Sequence, residues 1–413
     1  MTTTTLVADM LPGGSVSDGS GLPGLAGEAE AAGLPGPECV AHPSTTDEVA
    51  TLLAWATAEG IGVVPVSSGA RVRFGATRPE WSEARWIALS TDRLSGVEIY
   101  EAADLTITAG AGTPMATIDA ELRRAGQWLP FDPPFVLQRS LGGLVADGAS
   151  GPMWMGYGEL RNHVLGMTVV AGDGRVLRLG GRVVKNVAGF DLVKPMTGSR
   201  GTLAVITSAC LRTFPEPVED RLLLLRAPTV GDLLEVASAV GTAPVLPVSS
   251  VIVDGAEPGL LVRLHGAPAT VDSDQRTLET HVGRAFDVPS AAEASAMIED
   301  ARDRGAALPV SLEVSVLPSN LAPAWAATSA AGAVDTVVDT YGGRLRTGFR
   351  TSDARELAGL TRAVEAVGGV VRVVRGRGVP TSASSALSPA EVRLTEGLFH
   401  AFDPEGVFWP TRP

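Results

Sequence analysis

The sequence has few cysteines, few aromatic residues and no long apolar segment. Its two cysteines, Cys39 and Cys210, lie too far apart to form a disulfide framework or a metal-cluster spacing, so we expect no metal site. No stretch approaches the roughly 20 consecutive apolar residues that span a bilayer. The N-terminus also lacks the features of a signal peptide. We therefore expect a cytoplasmic protein with no direct membrane insertion, in which any membrane association runs through a partner.

Basic charge is scarce as well. The 33 Lys and Arg residues are outnumbered by 46 Asp and Glu residues, which gives a net charge of −13 over 413 residues. Nucleic acids and anionic membranes bind dense Lys/Arg surfaces, and no such run is present. The sequence therefore predicts no nucleic-acid partner, and its length favours two or three domains.

The first clear elements begin after a Gly-, Ser-, Thr- and Pro-rich stretch over residues 1–36, which predicts a flexible leader. Thr45 and Glu48 have capping-box spacing, an apolar stripe follows, and Gly60 closes a predicted helix. The apolar run over residues 61–65 then predicts a strand that enters a Gly/Ser-rich loop.

Further along the chain, β-rich runs over residues 164–170 and 176–179 flank a turn and predict a hairpin, and residues 203–208 predict a buried strand. The Pro-rich, acidic stretch over residues 212–221 predicts a domain boundary. We expect one domain over residues 37–215 and a second, α/β domain over residues 216–413.

Glycine is concentrated in residues 140–158, which read SLGGLVADGASGPMWMGYG and follow Asp132-Pro133-Pro134. Glycines let a backbone approach a ligand closely, and successive exposed N–H groups bind anions, so a diphosphate is the natural occupant. The alternative is that these glycines only form turns. Smaller clusters at residues 67–70 and 198–203 favour a ligand, although none matches a Rossmann or P-loop motif.

These clusters, together with Val164-Leu165-Gly166 and residues 201–206 (GTLAVI), resemble the FAD-binding domain of the vanillyl-alcohol oxidase/PCMH superfamily. Within it, residues 181–191 (GRVVKNVAGFD) and 402–410 (FDPEGVFWP) resemble the FAD-binding subunit of bacterial glycolate oxidase. The resemblance implies an α+β chain. A PCMH-type fold of two subdomains is followed by a smaller α/β domain with an antiparallel sheet, and the C-terminal segment returns to the FAD domain.

The resemblance further implies a noncovalent FAD held by two loops around its diphosphate. By position, the cofactor-binding residues are Pro65, Ser67, Ser68, Gly69, Ala70, Arg71, Pro133, Ser140, Leu141, Gly142, Gly143, Ala146, Gly148, Tyr157, Gly158, Val169, Lys185, Asn186, Gly201, Val205 and Ile206. Two positions depart from the family: the first loop has fewer glycines, and Asn162 stands where relatives carry aspartate.

No catalytic residue stands out in the sequence. The histidine-rich metal and substrate motif of related dehydrogenases is missing, and single histidines such as His163 and His265 are more often structural than catalytic. Lys185 and Asn186 either touch the flavin or a bound carboxylate, or lie in solvent. Arg344, Arg346 and Arg350 either clamp a carboxylate or line an exposed strand. Trp154 and Trp409 flank the flavin or fill the core.

The resemblance implies an FAD-dependent oxidoreductase subunit of a glycolate oxidase-like complex that oxidises a small 2-hydroxy acid to a 2-oxo acid. Its expected partners are a second flavin subunit and an iron–sulfur subunit. The alternative is a non-catalytic FAD-binding or scaffold subunit that stabilises a catalytic partner, which the missing histidine motif favours.

Overall fold

The structure is a computed structural model that describes residues 1–19, 22–31, 33–67, 83–182, 190–351, 354–376 and 388–409. Its α-helices are, in chain order, α1 (Thr3–Asp9), α2 (Pro23–Ala31), α3 (Thr46–Glu59), α4 (Met115–Arg123), α5 (Leu141–Asp147), α6 (Trp154–Tyr157), α7 (Val193–Met196), α8 (Val230–Thr242), α9 (Pro268–Val282), α10 (Ala291–Asp303), α11 (Leu321–Ala330), α12 (Ala354–Ala366) and α13 (Pro389–Phe402).

The β-strands form three larger sheets and one two-stranded pair. They are, in chain order, β1 (Ser15–Ser17), β2 (Val40–His42), β3 (Gly62–Val66), β4 (Trp86–Ser90), β5 (Val97–Glu101), β6 (Thr106–Gly110), β7 (Gln127–Trp128), β8 (Val164–Ala171), β9 (Val176–Gly180), β10 (Ala204–Arg212), β11 (Phe214–Pro215), β12 (Glu219–Arg226), β13 (Ser249–Val253), β14 (Gly259–Gly266), β15 (Val310–Ser315), β16 (Asp335–Asp339), β17 (Arg344–Phe349) and β18 (Val370–Arg375).

The first sheet has the order β1-β2-β4-β3, with β2, β4 and β3 parallel. Helix α3 packs on it, and Thr45 caps this helix by accepting the N–H of Glu48 at 3.1 Å. The Glu48 carboxylate accepts the N–H groups of Ser44 and Gly13, each at 2.6 Å, rather than closing a capping box with Thr45. The helix predicted from Thr45 to Gly60 is confirmed, and Glu48 also joins residues 13–14 to it.

Residues 1–36 differ from the flexible leader expected above. They contain α1, β1 and α2, and β1 adds an antiparallel strand to the first sheet through Val16 and Ala41. Val7 and Leu11, four residues apart, are buried against α3 and the sheet, and Leu25 is fully buried on its other side. The expectation was wrong because helices this short show too few turns for a periodic apolar pattern.

The second sheet is antiparallel, in the order β5-β6-β10-β8-β9. The predicted hairpin is confirmed as β8 and β9, and the predicted buried strand is confirmed as β10, the central strand. A bulge at Thr207 interrupts β10, and the Thr207 carbonyl accepts the N–H of Ala111 at 2.8 Å. Helices α4 and α5 contribute Ile118 and Leu144 to the core on this sheet.

The third sheet contains β12 to β18, in the antiparallel order β12-β14-β13-β16-β17-β15-β18. One face is apolar and packs against α8, α9, α11 and α12. Alternate residues point to opposite faces, so Arg372, Glu313 and Arg346, which are neighbours across three strands, lie on the other face. That face also packs against α10. Its strands begin after residue 216, and the division of the chain at that residue stays a prediction.

The C-terminal segment packs against the first two sheets. Phe399 and Phe402 of α13 join the core of the second sheet. The Val407 carbonyl accepts the N–H of Val63 at 2.7 Å, which places Phe408 beside β3. Asp403, almost fully buried, holds this turn by accepting the N–H groups of Val407 and Phe408.

Candidate cofactor-binding site

The first and second sheets meet at the ends of β3 and β10. A Cβ placed on Gly201, which has a φ of +76°, would lie 3.4 Å from the Pro65 ring. The Ser67 carbonyl, two residues beyond Pro65, accepts the Ser90 hydroxyl at 3.2 Å. Pro65, Ser67 and Gly201 therefore lie close together, although Gly201 is 134 or more residues beyond the other two in sequence.

Gly142 and Gly143 at the start of α5 were both predicted to contact the cofactor, but their surroundings differ. The N–H of Gly142 donates to the Ala111 carbonyl at 2.7 Å, and a Cβ here would lie 2.6 Å from the Ala111 Cβ. A Cβ on Gly143 would meet only the Ser140 hydroxyl, at 3.0 Å, and that hydroxyl caps the helix by accepting the Gly143 N–H. Both N–H groups are thus used inside the protein, but only at Gly143 would an added Cβ avoid close backbone neighbours.

The end of α5 is joined to the turn before β10. The carbonyls of Val145 and Ala146 accept the N–H groups of Gly198 and Arg200 at 3.0 and 2.8 Å. Gly148, with a φ of +63°, packs so closely that a Cβ would lie 2.9 Å from the Gly198 Cα. The structure therefore brings Ala146 and Gly148 beside the segment that carries Gly201.

Val169 and Ile206 are directly paired on β8 and β10, as expected for two residues that edge one ligand group. Both side chains are buried in the core of the second sheet, whereas the Val205 side chain is buried on the opposite face, toward α3. Any contact of Val169 or Ile206 with a ligand must therefore come from the backbone.

Tyr157 lies away from Gly201 and the residues around it. Its ring packs edge-on against Trp128 and Phe214, with ring centroids 5.6 and 5.5 Å apart. Phe214 follows the C-terminal end of β10, and Gly201 precedes its N-terminal end, a separation of about 25 Å or more along the strand. Tyr157 therefore packs at the opposite end of β10 from Gly201. Pro133, which is buried, adjoins Asp132, whose carboxylate accepts the Met153 N–H at 3.1 Å.

The structure does not test the remaining predicted cofactor-binding residues. Ser68, Gly69, Ala70, Arg71, Lys185 and Asn186 lie outside the described residues.

Both ring nitrogens of His265 lie near polar groups of other residues. Its Nδ1 is 2.8 Å from the Tyr157 hydroxyl, and its Nε2 is 3.1 Å from an Asp220 oxygen. Asp220 also accepts a bond from Arg263 at 2.7 Å. Burial raises the pKa of Asp220, but the contacts with Arg263 and His265 outweigh it and hold that pKa well below its usual 3.8. The group ties the third sheet to Tyr157.

His163 is buried beside Phe131 and Phe214. Its Nε2 is 3.2 Å from the Gly158 carbonyl, while its Nδ1 has no partner among the described residues. Burial lowers the pKa of His163, so the ring is neutral near pH 7. The neutral, enclosed ring of His163 is therefore suited to packing against these aromatic rings.

The arginines near the Gly342-Gly343 turn do not form one clamp. Arg344 donates to Glu159 at 2.9 Å and lies over the Trp154 ring, 5.3 Å from its centroid. Arg346 donates instead to the carbonyls of Ala301 and Arg304. Trp154 donates to Asp339 at 2.7 Å, and the Trp409 ring packs on Gly62, so each tryptophan has a structural contact.

A charged cluster between α5 and the third sheet was missed by the sequence reasoning. Asp147 pairs with Arg139 at 2.8 Å and with Arg372 at 3.6 Å, and Arg372 pairs with Glu313 at 2.7 Å. Arg200 lies close enough to Asp147, Glu313 and Arg372 for their charges to affect its pKa. These pairs join residues far apart in sequence, so no local pattern marks them.

The residues where the first and second sheets meet suit an anionic cofactor such as a dinucleotide. A Cβ on Gly143 would meet only the Ser140 hydroxyl, Gly201 packs on Pro65, and Arg139 keeps a buried Nη1 without a partner among the described residues. Residues 37–180 match the family described as the FAD binding domain. Residues 37–180 are similar to this family, and we refer to them as the FAD-binding domain. FAD is therefore the cofactor expected between the first and second sheets.

The chain is similar to several proteins of known name. Glycolate oxidase subunit GlcE of Escherichia coli is 45% identical over 123 residues, which is 30% of this chain and 35% of that protein. D-lactate dehydrogenase of Archaeoglobus fulgidus is 34% identical over 196 residues, or 47% of this chain and 43% of that protein. D-2-hydroxyglutarate dehydrogenase of Xanthomonas citri is 33% identical over 205 residues, or 50% and 43%. The chain thus spans less than half the length of each of these relatives.

The fold extends beyond the FAD-binding domain. Alkyldihydroxyacetonephosphate synthase superposes with a TM-score of 0.71 over 92% of this chain and 78% of that one, at 16% sequence identity. The expected PCMH-type fold, with a further antiparallel sheet, is thereby confirmed. Among the described residues, no group of three or more His, Cys, Asp or Glu is placed to hold a metal ion. None of the described helices has the length and apolar character to cross a bilayer.

Proposed function

We propose that this chain is an FAD-dependent oxidoreductase subunit that takes part in oxidising a small 2-hydroxy acid to a 2-oxo acid. The observation that carries the proposal is that part of the chain aligns with a glycolate oxidase subunit and with two dehydrogenases named for 2-hydroxy acids. FAD, when bound, supplies the redox chemistry, and the protein supplies binding and electrostatics.

The chain's own residues are proposed to hold FAD without a covalent bond. No cysteine or histidine stands at a spacing typical of a flavin anchor, and both cysteines are buried. Pro65, Ser67, Gly143 and Gly201 are proposed to line the FAD site, together with residues 68–71 and 185–186, which lie outside the described residues. Tyr157 is proposed to act at the opposite end of β10 from Gly201, next to the third sheet.

The chain is proposed to work within a complex. One of its relatives is named as a subunit of glycolate oxidase, and a second such subunit, GlcD of Bacillus subtilis, is 29% identical over 226 residues. We propose a second flavin subunit and an iron–sulfur subunit as partners. We also propose a cytoplasmic location, with any membrane association through a partner.

A second candidate function is a non-catalytic subunit that holds FAD and stabilises a catalytic partner. The observation that favours it is the state of the histidines: His265 is tied to Tyr157 and Asp220, and His163 is enclosed by aromatic rings. Neither is free to act as a base in the described structure.

Anaerobic mixing of the purified protein with glycolate or D-lactate separates the two functions. The main proposal predicts that the visible flavin absorption bleaches when the protein is alone. Bleaching only after the partner subunits are added supports the scaffold function. No bleaching with any 2-hydroxy acid in the assembled complex contradicts the main proposal.

A further inference from the structure

Arg200 occupies an unusual backbone position between α7 and β10. Its φ of +54° lies in the left-handed region, which only two other non-glycine residues of the described chain adopt, Leu105 and Phe135. Such a conformation costs about 1 kcal/mol or more and persists where neighbouring structure enforces it. Here the bond from the Arg200 N–H to the Ala146 carbonyl fixes the residue against the end of α5.

The charges around Arg200 do not balance. Arg139, Arg200 and Arg372 contribute three positive charges, and Asp147 and Glu313 contribute two negative ones. Both carboxylates are already paired with the other two arginines. In the described chain, Arg200 makes no side-chain hydrogen bond or ion pair of its own. The cluster is therefore left with one surplus positive charge, on the residue that lacks a partner.

The surplus positive charge lies on an exposed residue next to the proposed cofactor site. Arg200 is exposed, whereas Arg139 of the same cluster is 92% buried, with an Nη1 that has no partner among the described residues. Although the residue is exposed as a whole, desolvation of its guanidinium first, and then the charge of Arg372, lower the pKa of Arg200 from its usual value, so its surroundings disfavour the cation. A bound anion would relieve that cost. Next to Arg200, Gly201 packs on Pro65 at the cofactor cleft.

We propose that Arg200, with Arg372 beside it, binds the carboxylate of the 2-hydroxy acid at the junction of the FAD-binding cleft and the third sheet. This inference rests on the proposed function. The surplus positive charge suits a carboxylate, and a guanidinium can hold a carboxylate through two parallel N–H bonds. The FAD diphosphate is expected between the first two sheets, whereas Arg372 belongs to the third.

The test uses the FAD-loaded protein, together with any partner subunits that copurify. Oxalate, a carboxylate that this chemistry cannot oxidise further, is titrated while the flavin spectrum and the binding heat are recorded. We expect Arg200→Gln to weaken oxalate binding about 10- to 100-fold, as loss of a charge-assisted pair does. FAD content should stay as in the wild type. Arg200→Lys keeps the positive charge but not the paired N–H donors of the guanidinium, and it should give an intermediate affinity.

Arg284→Gln is the matched control, because Arg284 is exposed just beyond α9 and the variant also loses one positive charge. It should bind oxalate like the wild type. Wild-type affinity in Arg200→Gln overturns the inference, and so does loss of FAD from that variant, which would assign Arg200 to the cofactor. If Arg200→Gln does not fold, wild-type affinity in Arg200→Lys overturns the two-bond geometry. A wild-type protein that neither binds oxalate nor bleaches with 2-hydroxy acids contradicts the proposed function itself.

Discussion

Gly142 and Gly143 stand side by side at the start of α5, and the structure predicts opposite results for alanine at each. A methyl group on Gly142 would lie 2.6 Å from the Ala111 Cβ and 3.0 Å from its carbonyl oxygen. Carbon atoms pack at about 3.5 to 4.0 Å, so α5 must move by roughly 1 Å. That movement strains the 2.7 Å bond from the Gly142 N–H to Ala111. Overpacking and the weakened bond together should lower the free energy of unfolding by about 2–4 kcal/mol.

Alanine at Gly143 should scarcely change the stability of the protein without FAD. The methyl group would meet only the Ser140 hydroxyl, at 3.0 Å. A small loss of that cap is offset by the better helix propensity of alanine, so the change should stay within about 1 kcal/mol. FAD affinity should fall about tenfold or more, because the methyl group occupies the side from which the diphosphate is proposed to approach.

The assay is urea unfolding of the FAD-free proteins, followed by FAD titration of each. Gly142→Ala should unfold at a clearly lower urea concentration, and Gly143→Ala should retain its midpoint but bind FAD more weakly. Equal midpoints for the two variants would refute the packing argument. Wild-type FAD affinity in Gly143→Ala would refute the assignment of this loop to the diphosphate.

Three further variants test the contacts that hold the third sheet and the C-terminal segment. Asp220→Asn leaves Arg263 and His265 without their carboxylate and should lower the free energy of unfolding by roughly 2–3 kcal/mol in urea melts at pH 7. The pKa of Asp220 is lowered in the folded state, so its contribution is present above 3.8 and is lost as the pH falls below that value. The gap between this variant and the wild type should therefore close in acid melts, and a constant gap would contradict the pairing. Tyr157→Phe removes only the bond to His265 and should cost about 1 kcal/mol, with a larger loss pointing to a role beyond this bond. Asp403→Ala releases two N–H groups in a buried turn and should lower stability by about 2–4 kcal/mol, and a thermal melt identical to the wild type would contradict that account.

Local patterns were enough to predict the elements that local interactions stabilise. Thr45, Gly60 and the apolar stripe between them mark α3, because caps and helix periodicity are encoded within one segment. The turn between β8 and β9 is likewise local. Residues 1–36 were misjudged because Val7 and Leu25 gain their stability from distant strands, which no short window shows.

Of the candidate site, the sequence predicted the glycine positions but not the contacts around them. Glycine clusters and family resemblance pointed to Gly201 and to the start of α5, but not to the different roles of Gly142 and Gly143, which depend on how closely Ala111 approaches. The cluster around Arg200 was missed because Asp147 and Arg372 meet only when the third sheet packs on α5. Charge pairs between separate parts of a chain leave no periodic mark.

The visible absorption spectrum of the purified protein, with FAD quantified after acid precipitation, tests the central claim most directly. The account predicts a yellow protein that releases about one FAD per chain into the acid supernatant, because the flavin is bound without a covalent link. A colourless protein that FAD cannot reconstitute would contradict the account, and flavin that stays with the acid precipitate would contradict the noncovalent site.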